Sequence, residues 1–346
     1  VTTLADLTTL RVGGPSRDLL TATSRAQFVD AIRDCDARGE PFLIIGGGSN
    51  IVASDVGFPG TLIVVRSRGI EVSADSCGGA WVEVAAGEPW DDFVSTAVEA
   101  GWIGVEALSG IPGCVGATPI QNVGAYGQEV ASTIARVEVL DRTDGQVMWW
   151  PVGECGFGYR TSRFKQTMSA RGEPRYVVLT VAFQFSRGDL STPIAYRELA
   201  DHLGVQMGER VPATRVREAV LELRRAKGMV WDPADHDTWS VGSFFINPVL
   251  TTEQARALPE DAPRWSLEDG LVKVSAAWLV QQAGFTRGFG LVESVRLSSK
   301  HALAITNRGG GTAAEVIDLA HHIAAGVLQK FGVHLTPEPL VLQAQA

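Results

Sequence analysis

A chain of 346 residues with a formal charge of −9, 45% hydrophobic and 20% charged, reads as a globular protein with more than one core. No Lys/Arg run interrupts the acidic balance, which argues against a nucleic-acid surface, although a few cations gathered in one cleft still suit an anionic ligand. No apolar stretch reaches membrane-span length, the opening residues lack a secretion-signal pattern, and Cys35, Cys77, Cys114 and Cys155 form no CxxC pair, so the expectation is a cytoplasmic protein with neither zinc site nor disulfides.

Along the chain, the spacing predicts a helix over 26–38, with Phe28, Ile32 and Cys35 on one face and Gly39, Glu40 and Pro41 as its stop. Residues 42–45 read as a short buried strand, followed by strands at 61–66 and 81–86 and a helix over 89–100 that starts on Pro89 and stops at Gly101. Residues 108–129 hold many Gly and Pro and show no usable period. Strands at 137–140 and 147–150 flank a turn at Asp144 and Gly145, and 176–185 is a long strand. Beyond Pro212, Thr214 is expected to cap a helix that buries Val216, Ala219, Val220 and Leu223 and ends at Gly228. A second helix covers 275–283, and a third covers 312–330, where Thr312 and Glu315 make a capping box ahead of the stripe Val316, Leu319, Ile323, Val327 and Phe331. Helices and strands mixed in this way give an α+β fold.

Two segments carry chemistry. Gly46, Gly47 and Gly48, followed by Ser49 and Asn50, leave a strand end with its backbone exposed to close approach, which suits a pyrophosphate; neither a Walker loop nor a GxGxxG fingerprint is present. A second glycine-rich stretch runs from Ser109 through Gly110, Ile111, Pro112, Gly113, Gly116 and Ala117 to Gln121, Asn122, Gly124, Ala125, Tyr126 and Gly127. Side chains this small make the main chain the contact surface, as a flat ring would need, and the amides of Gln121 and Asn122 can meet a polar edge.

Together these segments resemble the family of UDP-N-acetylenolpyruvoylglucosamine reductases, known as MurB. The resemblance continues in order through Phe157-Gly158-Tyr159-Arg160-Thr161-Ser162, Tyr196, Lys227, Gly242-Ser243-Phe244-Phe245-Ile246-Asn247-Pro248, Lys273, His301 and Pro337-Glu338, nearly the whole chain. It implies a two-lobed FAD-binding domain of the vanillyl-alcohol-oxidase type plus a C-terminal α+β substrate-binding domain. The expected boundaries are 1–67 with the tail 336–346 for the first lobe, 68–208 for the second, and 209–335 for the substrate domain. The implied reaction is reduction of UDP-N-acetylglucosamine enolpyruvate to UDP-N-acetylmuramate by NADPH through non-covalent FAD, in a monomer.

By the same resemblance, Arg160 is the catalytic arginine, whose planar fork can hold a carboxylate bidentately, and Ser243 is the proton donor. Glu338 matches the family's catalytic glutamate; a charged carboxylate would repel the developing anion, so that role needs its protonated or water-linked form. Tyr196 resembles the lid tyrosine of the family's longer-form subgroup, and Arg224, Lys227, Asn247 and Lys273 are further substrate candidates. The segment 288–300 departs from the small-residue hairpin common in relatives. Asp232, Asp235, His236 and Asp237 form an acidic cluster for which solvation, not a metal, is expected. Two rivals stay open: an FAD oxidase of the same fold, with Cys114 as the best available flavin tether, and a nucleotide-sugar-binding protein without catalysis.

Overall fold

The computed structural model describes residues 2–76, 78–169, 171–267 and 270–342; Cys77 and the last four residues of the tail expected at 336–346 lie outside the described residues. The chain forms two compact units whose sequences interleave: Ser16–Gly48 with Phe58–Val230, and Val1–Pro15 with Ser49–Gly57 and Trp231–Ala346.

In the first of these units a three-stranded parallel sheet places Phe58–Val65 between Ser16–Ala22 and Phe42–Ile45. Residues Gly60 to Val65 are continuously buried, the signature of a central parallel strand covered on both faces. The helix Arg25–Arg38 packs Phe28, Ile32 and Cys35 against Phe42, Ile63 and Val65. Its start is capped by Ser24, and Gly39 ends it at φ 63°, as the stop signal in the sequence required.

A larger antiparallel sheet follows, in the order Val147–Pro151, Ile134–Asp141, Tyr176–Arg187, Gly79–Ala85, Ile70–Ser76, with Trp102–Ile103 also paired to the long central strand. The turn between its first two strands forms where expected, with Gly145 at φ 71° and its N–H donating to the Asp141 carbonyl at 2.8 Å. Helix Trp90–Glu99 supplies Trp90 and Phe93 to an aromatic core shared with Phe183 and Phe185; the Phe93 and Phe183 rings are 5.1 Å apart.

The helix Ala213–Ala226 belongs to this unit as well. Val216, Ala219 and Val220 bury against Leu199, Ala200 and Leu203 of the helix Arg197–Leu203. The division therefore falls after Val230, whereas the sequence had placed a boundary at 208/209. Thr214 does not cap this helix. Pro212 holds the N-cap position, and the Ala213 N–H donates to the Asp189 carbonyl at 2.9 Å, so a backbone carbonyl does the work expected of a hydroxyl.

The second unit is built on the helix Ala313–Phe331, whose capping box and apolar stripe form as read from the sequence, with Phe331 packed at the core's margin. Around it lie the three-stranded antiparallel sheet Val249–Thr251, Leu271–Val274, Arg264–Ser266, the pair Val295–Leu297 and Ile305–Asn307, and the helix Ala276–Gln282 capped by Ser275. Leu340–Val341 pairs in parallel with Ile51–Val52. Among the described residues no helix is long and apolar enough to cross a membrane.

Asn307 explains how the first residues of the chain come to pack with the last hundred. It is 2% exposed; its Nδ2 donates to the carbonyls of Leu10 at 3.2 Å and Arg11 at 3.0 Å, and its Oδ1 accepts the amides of Gly309 and Gly311, both at 2.9 Å. Replacing it with Ala strands several buried main-chain groups. Asn307→Ala is predicted to cost about 2–4 kcal/mol in denaturant unfolding; a loss below about 0.5 kcal/mol would show that the N-terminal segment is held by its apolar contacts alone.

Candidate active site

The buried strand Phe42–Ile45 delivers Gly46, Gly47 and Gly48 at its C-terminal end, the edge at which α/β sheets receive ligands. Arg66, one residue past the central strand, fixes that loop by donating Nη1 to the Gly46 carbonyl at 2.9 Å and to the Val65 carbonyl at 2.8 Å. The second glycine-rich stretch closes on the first. A Cβ at Gly47 would sit 2.5 Å from Gly113 Cα, and one at Gly46 would collide with Cys114 Sγ. The two segments thus meet main chain to main chain at Gly47 and Gly113, with the Cys114 sulfur filling the space beside Gly46, and their backbone is a wall suited to a flat or phosphate-bearing ligand.

The stretch without a period turns out to be ordered by short turns at Glu106–Leu108 and Val115–Ala117 and by a hairpin pairing Gly124–Ala125 with Gln128–Glu129. Its two-residue loop has Tyr126 at φ 48° and Gly127 at φ 84°, both left-handed, as a tight hairpin of the primed type demands. Three acids hold the stretch. Asp91 accepts the Gly110 amide at 2.6 Å and both terminal nitrogens of Arg217 at 2.7 and 3.0 Å. Fully buried Glu106 accepts the amides of Gly104 and Thr192, each at 2.7 Å. Glu129 accepts Nδ2 of Asn122 at 2.7 Å.

Asn122 is 2% exposed, and its side chain is occupied inside the protein. Besides Glu129, Nδ2 donates to the Gly158 carbonyl at 3.2 Å, and Oδ1 accepts the Ala131 amide at 3.1 Å. The Ser109 hydroxyl is likewise turned inward, onto the Glu106 carbonyl at 2.7 Å. Both residues offer a ligand their backbone only. Asn122 instead braces the turn that carries Arg160, a turn closed by the Gly158–Thr161 bridge and docked by the Ser162 hydroxyl on the Ile120 carbonyl at 2.5 Å. Arg160 itself is left-handed, at φ 54°, and its Nη2 donates to the Gly124 carbonyl at 2.7 Å.

A cationic cluster lies in the same unit. Burial pushes the Arg224 guanidinium down to about 10, with Tyr126 and Asp91 opposing the shift, so it stays charged at neutral pH. Its Nε is buried without a hydrogen-bond partner, while Nη2 donates to the Met229 carbonyl at 2.8 Å. Burial raises Tyr126 to about 12, leaving it a hydrogen-bond donor, and Tyr196 packs edge-on against it at 5.6 Å. Lys227, the C-cap of its helix, places its ammonium 5.5 Å from the Tyr126 ring centre and 2.5 Å from a Glu198 oxygen.

In the other unit, Ser243 and Glu338 lie on neighbouring segments. Phe245 bridges to Pro337, the Glu338 amide donates to the Phe244 carbonyl at 2.8 Å, and the Ile246 amide donates to the Thr336 carbonyl at 3.1 Å. Asn247 uses Oδ1 to accept the Ala276 amide at 2.9 Å, capping the helix behind it, and the Lys273 ammonium lies 5.6 Å from the Trp265 ring. The acidic cluster is structural. Asp235 pairs with Lys300 at 2.6 Å, Asp237 accepts the Ser299 amide and pairs with Arg308 at 2.7 Å, and His236 packs on Trp239 at 4.3 Å. No group of three His, Cys, Asp or Glu residues able to hold a metal occurs among the described residues.

The candidate residues thus fall into two sets: Arg160, Tyr196, Arg224 and Lys227 in one unit, Ser243, Asn247, Lys273 and Glu338 in the other, with the loop Gly46–Asn50 running across the division. Sequence reading missed Arg66, Asp91, Glu106, Glu129, Glu198 and Arg217. None belongs to a local motif; Asp91 and Arg217, for example, are 126 positions apart.

Comparison with known proteins agrees with this arrangement. Residues 18–150 match a family described as FAD binding domain, and residues 232–342 match the UDP-N-acetylenolpyruvoylglucosamine reductase C-terminal domain. The chain is 52% identical over 342 residues to a UDP-N-acetylenolpyruvoylglucosamine reductase of Cutibacterium acnes, covering 98% of this chain and 89% of the relative. A protein of the same name from Streptomyces coelicolor is 50% identical over 351 residues, covering 98% and 88%. A crystal structure of UDP-N-acetylenolpyruvylglucosamine reductase from Thermus caldophilus superposes with a TM-score of 0.65 at 25% identity, covering 99% of this chain and 98% of that one.

The Asp91 clamp gives a test of how the glycine-rich wall is held. Burial pushes its carboxyl up, but the bonds from Arg217 and Gly110 outweigh that and hold it below the ordinary value. A depressed folded pKa adds stability above the unfolded value, about 4, and that contribution is lost as pH falls through the folded value. Because the pair is partly exposed, Asp91→Asn is predicted to cost about 1–2 kcal/mol at neutral pH. Melting curves of the variant and the unaltered protein should converge as pH drops below about 4; a gap that does not depend on pH would remove the charge from the explanation.

Proposed function

The chain belongs to the family of UDP-N-acetylenolpyruvoylglucosamine reductases, and from that membership we infer that it is the FAD-dependent oxidoreductase that reduces UDP-N-acetylenolpyruvoylglucosamine to UDP-N-acetylmuramate in peptidoglycan synthesis. The observation that carries this reading to particular residues is the close approach of Gly47 to the Gly113 main chain and of Gly46 to the Cys114 sulfur. Those residues fit FAD: the wall is main chain rather than side chains, so a flat ring can approach it closely, and the loops of Ser49, Asn50 and residues 109–127 would hold the group. When bound, FAD supplies the hydride that passes from NADPH to the terminal carbon of the enolpyruvyl group. Burial pushes the Cys114 thiol up, which makes it a poor nucleophile and supports non-covalent binding over a tethered oxidase cofactor.

The chain's own residues then have distinct tasks. Arg160 receives the enolpyruvyl carboxylate in its guanidinium fork and stabilises the negative charge that grows there as the double bond is reduced. The Gly124 and Asn122 contacts fix where that fork points. Ser243 gives a proton to the carbon bearing the ether oxygen, and Glu338, on the paired segment, supports it in protonated or water-linked form. Arg224, Lys227 and Tyr196 receive the UDP end, with Lys273 and the remaining amide of Asn247 as further contacts. The acting unit is proposed to be a monomer located in the cytoplasm.

Two measurements test this reading. Gly47→Ala should lower the flavin-to-protein ratio after purification to less than half, because the new methyl must displace Gly113; full flavin content would place the cofactor elsewhere. Ser243→Ala should leave flavin reduction by NADPH close to normal and slow the subsequent reoxidation by the enolpyruvyl sugar by about 100-fold or more. Equal slowing of both half-reactions would remove Ser243 as proton donor.

A further inference from the structure

The Lys227 ammonium already has an anion. Glu198 lies 2.5 Å away, and the two side chains are only about a third exposed, at 30% for Lys227 and 40% for Glu198. Glu198 sits in the first turn of the helix Arg197–Leu203, whose N-cap is Tyr196, and Lys227 caps the C-terminal end of Ala213–Ala226. Each charge thus also suits its own helix end, which alone would make the pair structural.

A second observation points elsewhere. The Lys227 ammonium lies 5.5 Å from the Tyr126 ring centre, so the carboxylate paired with it sits beside the Tyr126–Tyr196 pair, and its charge adds to burial, the larger cause, in raising both phenols. The helices beneath are fixed by Leu199, Ala200, Leu203, Val216 and Val220. The approach to Tyr196 is held too: the Ile194 amide donates to Glu209 and the Gly208 amide to the Ile194 carbonyl, both at 2.9 Å. Rotation of the half-exposed Glu198 side chain is therefore the low-cost way to free Lys227.

We propose that Glu198 is an affinity-tuning residue, the resident counter-anion of Lys227, which the diphosphate of the UDP-sugar must displace. This rests on the assignment of Lys227 to the UDP end. A diphosphate arriving beside Glu198 meets both a cation already neutralised and a like charge, so binding is weaker than the bare cluster of Arg224 and Lys227 would give. Substrate and product carry the same diphosphate. Tight binding of that shared group lowers KM without raising kcat and slows product departure, so a carboxylate that weakens it equally in both favours turnover.

The test uses the FAD-loaded protein and UDP as probe, with affinity read by calorimetry and flavin content confirming the fold. Glu198→Gln is expected to tighten UDP about three- to tenfold and to lower the KM for the enolpyruvyl sugar without raising kcat, while Glu198→Asp, which keeps the charge, stays near the unaltered protein. Lys227→Ala should weaken UDP about tenfold or more. If Lys227→Ala weakens UDP but Glu198→Gln leaves affinity equal or lower, the counter-anion role is overturned while the substrate assignment stands. If Lys227→Ala leaves UDP affinity intact, both are overturned.

Discussion

At Gly47 and Gly113 two stretches of main chain press together with no room for a single methyl group, and the functional architecture of this unit follows from that contact. It brings the end of a parallel strand against a loop more than sixty residues further on, and it leaves main chain rather than side chains as the surface there. A surface of that kind has no side-chain entropy to lose on binding. The contact must be supported from behind, since glycine contributes no packing of its own. Arg66 grips one stretch through the Gly46 carbonyl, and Asp91, held by Arg217, grips the other through the Gly110 amide. Arg66, Asp91 and Arg217 therefore brace the wall through its own main chain.

The same logic accounts for a concentration of backbone strain. Asn122, Tyr126 and Arg160 are three of the four non-glycine residues at positive φ among the described residues. Such conformations cost about 1–3 kcal/mol each and persist only where the surroundings over-determine them. The brace of Asn122 to Glu129, Gly158 and Ala131 supplies that constraint, and the Ser162 hydroxyl on Ile120 adds to it. The result is an arginine whose direction is fixed by backbone contacts on the glycine-rich loop itself. Preorganisation of this kind matters for a group that must meet charge as it develops, because none of the stabilisation is lost to reorientation during the reaction.

Features legible in the sequence were those written in neighbouring residues. The helix Ala313–Phe331 declared itself through Thr312, Glu315 and its stripe, and Arg25–Arg38 through its buried face and Gly39. Both glycine-rich segments were visible because glycine has few other reasons to cluster. What stayed hidden is what depends on partners far along the chain. Nothing near Thr214 announces that the Asp189 carbonyl will take the first amide of its helix, and so the capping hydroxyl was expected there. Nothing near Asn122 shows that its amide is consumed by Glu129 and Gly158, so a polar edge for a ligand was the natural reading. A return of the tail to the first lobe was expected, but the packing of residues 1–15 with the last hundred escaped notice for a similar reason: residue 307 binds the carbonyls of residues 10 and 11, and no periodicity records that bond.

The two cations at the end of Ala213–Ala226 show how one helix terminus can supply opposite electrostatic behaviour. Arg224 is enclosed, its guanidinium pushed down to about 10 by burial yet still charged, and no carboxylate is hydrogen-bonded to it among the described contacts. Three residues on, Lys227 is about a third exposed and already paired with Glu198. The enclosed cation offers a fixed attraction whose desolvation cost was met when the protein folded, so an anion reaching it gains nearly the full Coulomb term. The paired one offers an attraction that must first be exchanged. For a reductase whose substrate and product differ by two hydrogens but share the whole nucleotide, that combination is physically sensible. On the proposed assignments the buried charge would secure recognition, the exchangeable pair would limit how tightly the shared part is held, and the discriminating energy would be left to Arg160, where the two molecules differ.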